Sequence, residues 1–390
     1  MRRFLAALVI GLLATGVEMG AQERKVWPGP NPNTPFSAAV KADGLIYVAG
    51  TLAAEGDITA QTKTVLEQMD KTLQAAGSSL ANVASVHVYI KRGEDFAAMN
   101  EVYKTFWKAA PPVRTTIVSD LVNEKALVEM AMVAVPNGGE RQVIHPPAWV
   151  QSPNPYSYGI KSGNTLFLAG LVSRNGKDNS VVEGDMATQT KTVLDNAGEI
   201  LKAAGMGYQH VVSSRVFITD TAKFQDMNKV YQTYFQKEPP VRATVVAPLM
   251  GPQYQVEVTL TAVNAPKQVF TTPAADGSPG KPNPILSSAI KVGNRLYVSG
   301  ILGNTPENAG NIEAQTKELL ARVERTVKLA GYSWADMADA IAYITDIKNF
   351  GGMNTSYRAA LGTTLPARAT VRTGLVNADG LVEIMFVAAK

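Results

Sequence analysis

The sequence predicts an α+β protein made of three covalent copies of one domain. Two observations carry this reading. The first is a strand opening that recurs three times: PPVRTTIV from Pro111, PPVRATVV from Pro239 and LPARATVR from Leu365. The second is an apolar pattern that changes period in the same order within each copy, from strand-like alternation to helical spacing and back.

Each element of the first copy has its own warrant. SAAVKADG and LIYVAG (37–50) read as a hairpin turning at a glycine. QTKTVLEQMDKTLQAAG (61–77) places Val65, Leu66, Met69 and Leu73 at helical spacing, and Gly77 is the expected stop. VASVHVYI (83–90) alternates and is β-branched, as a strand requires. FAAMNEVYKTFW (96–107) reads as a second helix, which must end before Pro111 because proline removes a donor and disfavours helical geometry just upstream. VRTTIVSD and ALVEMAMVAV then form two strands. The order ββαβαββ predicts one sheet with both helices on one face.

The same segments return downstream. IYVAGTL, LFLAGLV and LYVSGIL correspond, as do FAAMNEVY, FQDMNKVY and FGGMNTSY. Asn100, Asn228 and Asn354 each precede an arginine by 14 residues, and Arg114, Arg242 and Arg368 each precede a glutamate by 15: Glu129, Glu257 and Glu383. The arginines are 128 and 126 residues apart, a period of whole domains rather than of a solenoid. Pro/Gly-rich joins at PNGGERQVIHPP and TTPAADGSPGKPNP divide the 390-residue chain into domains at 27–136, 146–265 and 280–390.

Composition narrows the function. A net charge of +4 without basic runs argues against a nucleic-acid partner. Three scattered histidines, His87, His145 and His210, argue against a metal site, and no Gly-rich loop signals a phosphate or cofactor. QTK at the helix start reads as a solvated first turn. Tyr103, Phe106 and Trp107 read as core. The absence of cysteine excludes disulfides and thiol chemistry. MRRFLAALVIGLLATGVEMGAQ reads as a secretory signal peptide over residues 1–21, too short in its apolar part to span a membrane. It predicts a periplasmic or secreted protein with no membrane contact after cleavage.

A guanidinium offers paired donors to a carboxylate, and a nearby glutamate can handle a proton or a water. On neighbouring strands the same two residues could simply form a structural ion pair. The asparagines could be helix caps, and the glycines could serve a tight turn.

Taken together, the (V/S)-(A/S)-G strand end, M-N-x-x-Y, P-x-R-(A/T)-T and V-E resemble the RidA/YjgF family of enamine/imine deaminases, also called L-PSP endoribonucleases. The resemblance covers each copy from end to end. It implies a chorismate-mutase-like fold and, because family members form homotrimers with ligand clefts between subunits, a pseudo-trimer within one chain that is monomeric in solution. It implies that Arg114, Arg242 and Arg368 bind a small-molecule carboxylate substrate, and that Glu129, Glu257 and Glu383 position the attacking water, with no cofactor. Gly50, Gly170, Ser299 and Gly300 would orient the substrate by backbone groups, with Tyr156, Asn100, Asn228 and Asn354 around the site. The implied reaction converts 2-aminoacrylate-like enamines and imines to 2-keto acids and ammonia. The other reading is a non-catalytic binding protein for carboxylates or keto acids. Departures from the family pattern predict unequal sites: Ala49 and Ala169 replace the family's serine, and Phe36 and Leu286 replace its tyrosine.

Overall fold

The computed structural model describes residues 24–390; the segment read as a signal peptide lies outside them. Each copy packs two long helices on one face of its sheet. These are α1 (Ile58–Ala75) and α2 (Phe96–Phe106), α3 (Met186–Ala203) and α4 (Phe224–Tyr234), and α5 (Ile312–Leu329) and α6 (Phe350–Leu361). The first helix of each pair begins at a side-chain cap, Asp57, Asp185 or Asn311, and ends before a left-handed glycine, Gly77, Gly205 or Gly331. No helix among the described residues is long and apolar enough to cross a membrane.

Within a copy the arginine strand and the glutamate strand are not neighbours. Val83–Ile90 lies between them, paired in parallel with Val113–Val118 and antiparallel with Val128–Ala134. This removes the intra-copy ion pair that adjacency would have allowed. The stretches read as linkers are also partly strand. Gln142–Ile144 pairs with Gly159–Ser162, and Lys267–Phe270 with Ala289–Val292, just as Lys25–Pro28 pairs with Ser37–Ala42. Every copy therefore gains one edge strand before the predicted ββαβαββ order.

The three copies join in a closed ring. Ser37 donates its N–H to Pro366 O (2.9 Å) and its hydroxyl to Leu365 O (2.6 Å). Ser157 does the same to Pro112 and Pro111, and Ser287 to Pro240 and Pro239. A proline carries a carbonyl but no N–H, so this edge presents acceptors and the serines supply both matching donors. That is the structural use of the proline before each arginine strand. A second set of contacts closes the same ring. Leu121 pairs with Val371, Leu375 with Val245, and Leu249 bridges Ile117.

The apolar residues divide accordingly. Each helix pair buries its own core, for example Val65, Leu66, Met69 and Met99 in copy one. The inner sheet faces share central cores, in which Tyr89, Phe217 and Tyr343 meet Ile117, Val245 and Val371. A sheet with helices on one face must cover the other, and here the other two copies cover it.

His87 is not isolated on this axis. His87, Arg215 and Asp339 line a small internal cavity of ≈ 60 Å³ where the copies meet. Arg215 Nη2 approaches Asp339 Oδ2 at 3.8 Å. Burial first, and then Arg215, hold the His87 imidazole neutral.

Candidate active site between copies

The arginine of one copy faces the glutamate of the next. Arg368 of copy three faces Glu129 of copy one, Arg114 faces Glu257, and Arg242 faces Glu383. All six side chains are buried; Arg368 is 1% exposed and Glu129 3%. Even so, among the described residues none of the three guanidinium groups has a carboxylate within 4.0 Å. Nitrogens are left without partners on all three: Nη1 of Arg114, and Nε and Nη1 of both Arg242 and Arg368. A buried cation with open donors costs several kcal/mol unless something pairs with it.

Aromatic faces hold the guanidinium groups in place. The carbon of each lies 4.5–4.8 Å from a tyrosine ring: Tyr103 for Arg114, Tyr231 for Arg242 and Tyr357 for Arg368. Phe96, Phe224 and Phe350 lie a little further off. Tyr103 is thus core, as its spacing suggests, and also the floor beneath a charge. The recurrence of Phe and Tyr seven residues apart in all three copies was the available signal.

The glutamates sit where the sheet is interrupted. The register of Leu45–Leu52 against Val128–Ala134 slips between Val48 and Thr51, and that of Arg295–Leu302 against Val382–Ala389 slips between Val298 and Ile301. The slips place Gly50 and Gly300 beneath the carboxylates of Glu129 and Glu383. Gly170 stands in the same relation to Glu257. A Cβ at any of the three would overlap the carboxylate oxygen. Close approach, rather than a tight turn, is what these glycines provide.

Burial pushes all three glutamates up to about 8, against a weaker pull from the facing arginine and a backbone N–H: Thr370 for Glu129, Thr116 for Glu257, Thr244 for Glu383. Burial thus favours the protonated carboxylic acid in all three. Burial likewise lowers the arginines, though not enough to discharge them at neutral pH.

A further pair of contacts positions each glutamate strand. Gln61 donates to Lys125 O (3.0 Å) and accepts from Leu127 N (2.7 Å), bracing the loop just before Glu129. Gln189 and Gln315 repeat this with Gln253 and Gln255, and with Asp379 and Leu381. The QT pair is therefore buried, not a solvated turn. Its threefold recurrence, with a polar residue on an apolar face, marked it.

The asparagines lie one turn inside their helices and are not caps. Asn354 Oδ1 accepts from Arg368 Nη2 at 2.6 Å. Asn100 instead donates to Asn154, and Asn228 leaves both side-chain atoms unpaired. Ser299 donates to Ser287 O (2.6 Å) and accepts from Arg242 N (2.9 Å), so its hydroxyl proton serves the ring and not a ligand. Tyr156 packs edge-on against Tyr158 beside Arg114.

The sites are unequal in space. Beside Arg368 and Glu129 opens a cavity of ≈ 600 Å³. Beside Gly170, Trp149, Tyr158 and residues of the Arg174–Asn179 loop enclose a cavity of only ≈ 20 Å³, which touches neither Arg114 nor Glu257. A larger open groove of ≈ 1130 Å³ along Val118, Met250 and Tyr254 reaches none of Arg114, Glu257 or Gly170.

Comparison with known proteins shows the family and the fold. The family model described as Endoribonuclease L-PSP matches three times, over residues 28–136, 148–264 and 281–390. A RutC family protein of Sulfurisphaera tokodaii is 41% identical over 106 residues, 27% of this chain and 85% of that protein. The 2-iminobutanoate/2-iminopropanoate deaminase of Mus musculus is 34% identical over 112 residues, 29% of this chain and 83% of that protein. A solved chorismatase, 14% identical, superposes over 79% of this chain and 93% of its own with a TM-score of 0.50, a likeness of fold.

Proposed function

The chain belongs to the Endoribonuclease L-PSP family, the RidA/YjgF group, in three tandem copies, and from that premise we propose that it hydrolyses 2-imino and enamino acids to 2-keto acids and ammonia. The observation that carries the reading is the Arg368–Glu129 cleft. A buried guanidinium with unpaired donors faces a buried carboxylic acid across a cavity of ≈ 600 Å³. A mouse relative named as an imine deaminase supports the reaction class.

The chemistry follows from the groups. The open nitrogens of Arg368 take the substrate carboxylate, which fixes C2 and excludes its bulk hydration. Glu129, protonated in the empty site, delivers its proton to the enamine carbon and so forms the iminium ion. The resulting carboxylate accepts a proton from a water as its oxygen bonds to C2, giving a tetrahedral carbinolamine. That proton then passes to nitrogen, the C–N bond breaks, and ammonia leaves as C2 becomes a carbonyl. One water enters, one 2-keto acid and one ammonia depart, and Glu129 regains its proton. The second reading, carboxylate capture without turnover, needs the arginine but gives the raised glutamate no task.

The test is an amino-acid oxidase that generates imines in the presence of semicarbazide. Wild-type protein lowers semicarbazone formation, and the Arg114→Ala/Arg242→Ala/Arg368→Ala variant, checked for fold by circular dichroism, does not. Undiminished semicarbazone with every imine would leave capture as the reading.

A further inference from the structure

Building on the deaminase reading, we propose that the Arg368–Glu129 cleft selects 2-imino acids bearing a large, uncharged apolar side chain. The reacting end of the substrate needs little room. Arg368 holds its carboxylate, and Glu129, Gly50 and Thr370 surround C2 and the nitrogen. The remaining space, most of the ≈ 600 Å³, leads away from these groups. A volume of that size suits a ligand well beyond three or four carbons. Its walls are Pro28, Pro30, Phe36, Leu52, Val122 and Phe350. Gln68 and Thr72 of α1 form a neutral polar rim.

Charge excludes as strongly as shape. Among the described residues, Arg368 and Glu129 are the only charged ones on the lining. An imino acid with a carboxylate or ammonium on its side chain would bury that charge against proline and phenylalanine with nothing to pair it. An apolar side chain instead leaves water for a dry wall, which favours it further with each carbon.

The other half of the argument is internal to the chain. Ala38 in copy one stands one residue past Ser37; in copy two, Tyr158 stands one residue past the equivalent Ser157. Tyr158 and Trp149 pack edge to face at 4.8 Å, and the Trp149 ring lies on Gly176. The tyrosine takes up space beside Gly170 that the alanine leaves free beside Gly50. The room at copy one comes from small residues at positions where the same fold accepts large ones.

The experiment compares imines made by D-amino-acid oxidase from alanine, leucine, phenylalanine and glutamate, the imine having lost the stereocentre. With full-length protein, kcat/KM for the leucine and phenylalanine imines should exceed that for the alanine imine by about 10-fold or more, with the glutamate imine lowest. Ala38→Tyr should bring the ratio of large to small down to about one. Thr72→Trp, at the rim, should do the same if Ala38→Tyr does not fold. Turnover of the alanine imine at an equal or higher rate overturns the selectivity and leaves the deaminase reading standing. If no imine is hydrolysed, the deaminase reading fails. Calorimetry then decides the pocket: phenylpyruvate binding about 10-fold tighter than pyruvate supports it, and equal affinity overturns it.

Discussion

The cleft between copies three and one and the cleft between copies one and two have the same reacting groups and opposite interiors. Both present an arginine over a tyrosine, a glutamate pushed up to about 8 and a glycine under the carboxylate. The first opens into ≈ 600 Å³ lined by Arg368 and Glu129, whereas beside Gly170 of the second the aromatic wall leaves a cavity of ≈ 20 Å³. The loop before α3 accounts for part of the difference. Between Val172 and Asp185 it carries residues Arg174 to Asn179, which wall the space beside Gly170; the matching loop from Leu52 to Asp57 is too short for such an excursion. The lesson is that retained polar residues mark where chemistry can occur, whereas the packing around them decides whether a substrate reaches it.

Variants break this comparison in graded steps. The largest effect belongs to the arginines. With the Arg242 cleft silenced by Arg242→Ala, adding Arg368→Ala should lower kcat/KM in the imine assay more than 100-fold, and adding Arg114→Ala should lower it less than 2-fold, since the wall beside Gly170 leaves little room for a substrate. Similar losses for both would show that the copy-two cleft opens in solution. Next come the glycines. In the same Arg242→Ala background, Gly50→Ala drives a methyl into the Glu129 carboxylate and should cost about 10- to 100-fold in kcat/KM, while Gly170→Ala should register mainly as lost stability, read by thermal melting.

The smallest effect sharpens the electrostatics. A glutamate whose folded value lies near 8, above its ordinary 4.5, binds its proton more tightly folded than unfolded. It therefore imposes no penalty below about pH 4.5, a growing one as pH rises, and the full one above about pH 8. Glu129→Gln should leave the melting temperature unchanged near pH 4.5 and raise it by a few degrees at pH 9. In the wild type, turnover should fall as pH passes about 8 and the general acid ionises. A melting temperature for Glu129→Gln that tracks wild type across the range would mean that Glu129 is ionised in the folded state.

Much of this was readable in advance because it depends on local chemistry. The helix stops at Gly77, Gly205 and Gly331, the proline-led arginine strands and the fixed Asn–Arg–Glu spacing all lie within one copy and recur. The errors share a different origin. Gln61 looks solvated from sequence because its partners, Lys125 and Leu127, lie more than 60 residues away. Arg114 and Glu129 were read as potential strand neighbours because spacing along the chain does not reveal the strand inserted between them. Asn100, Asn228 and Asn354 resembled caps because the helix start at a preceding Phe has no sequence signal as strong as an asparagine.

By itself, the sequence determined the repeated unit, its α+β character and the residue types at each cleft, since periodicity and backbone preference act over a few residues. Only the tertiary structure decided that each arginine faces the glutamate of another copy, and which side chains wall the cavity beside Arg368 and Glu129. Those outcomes depend on how three sheets bury their inner faces against one another, a contact between residues hundreds of positions apart that no local preference encodes.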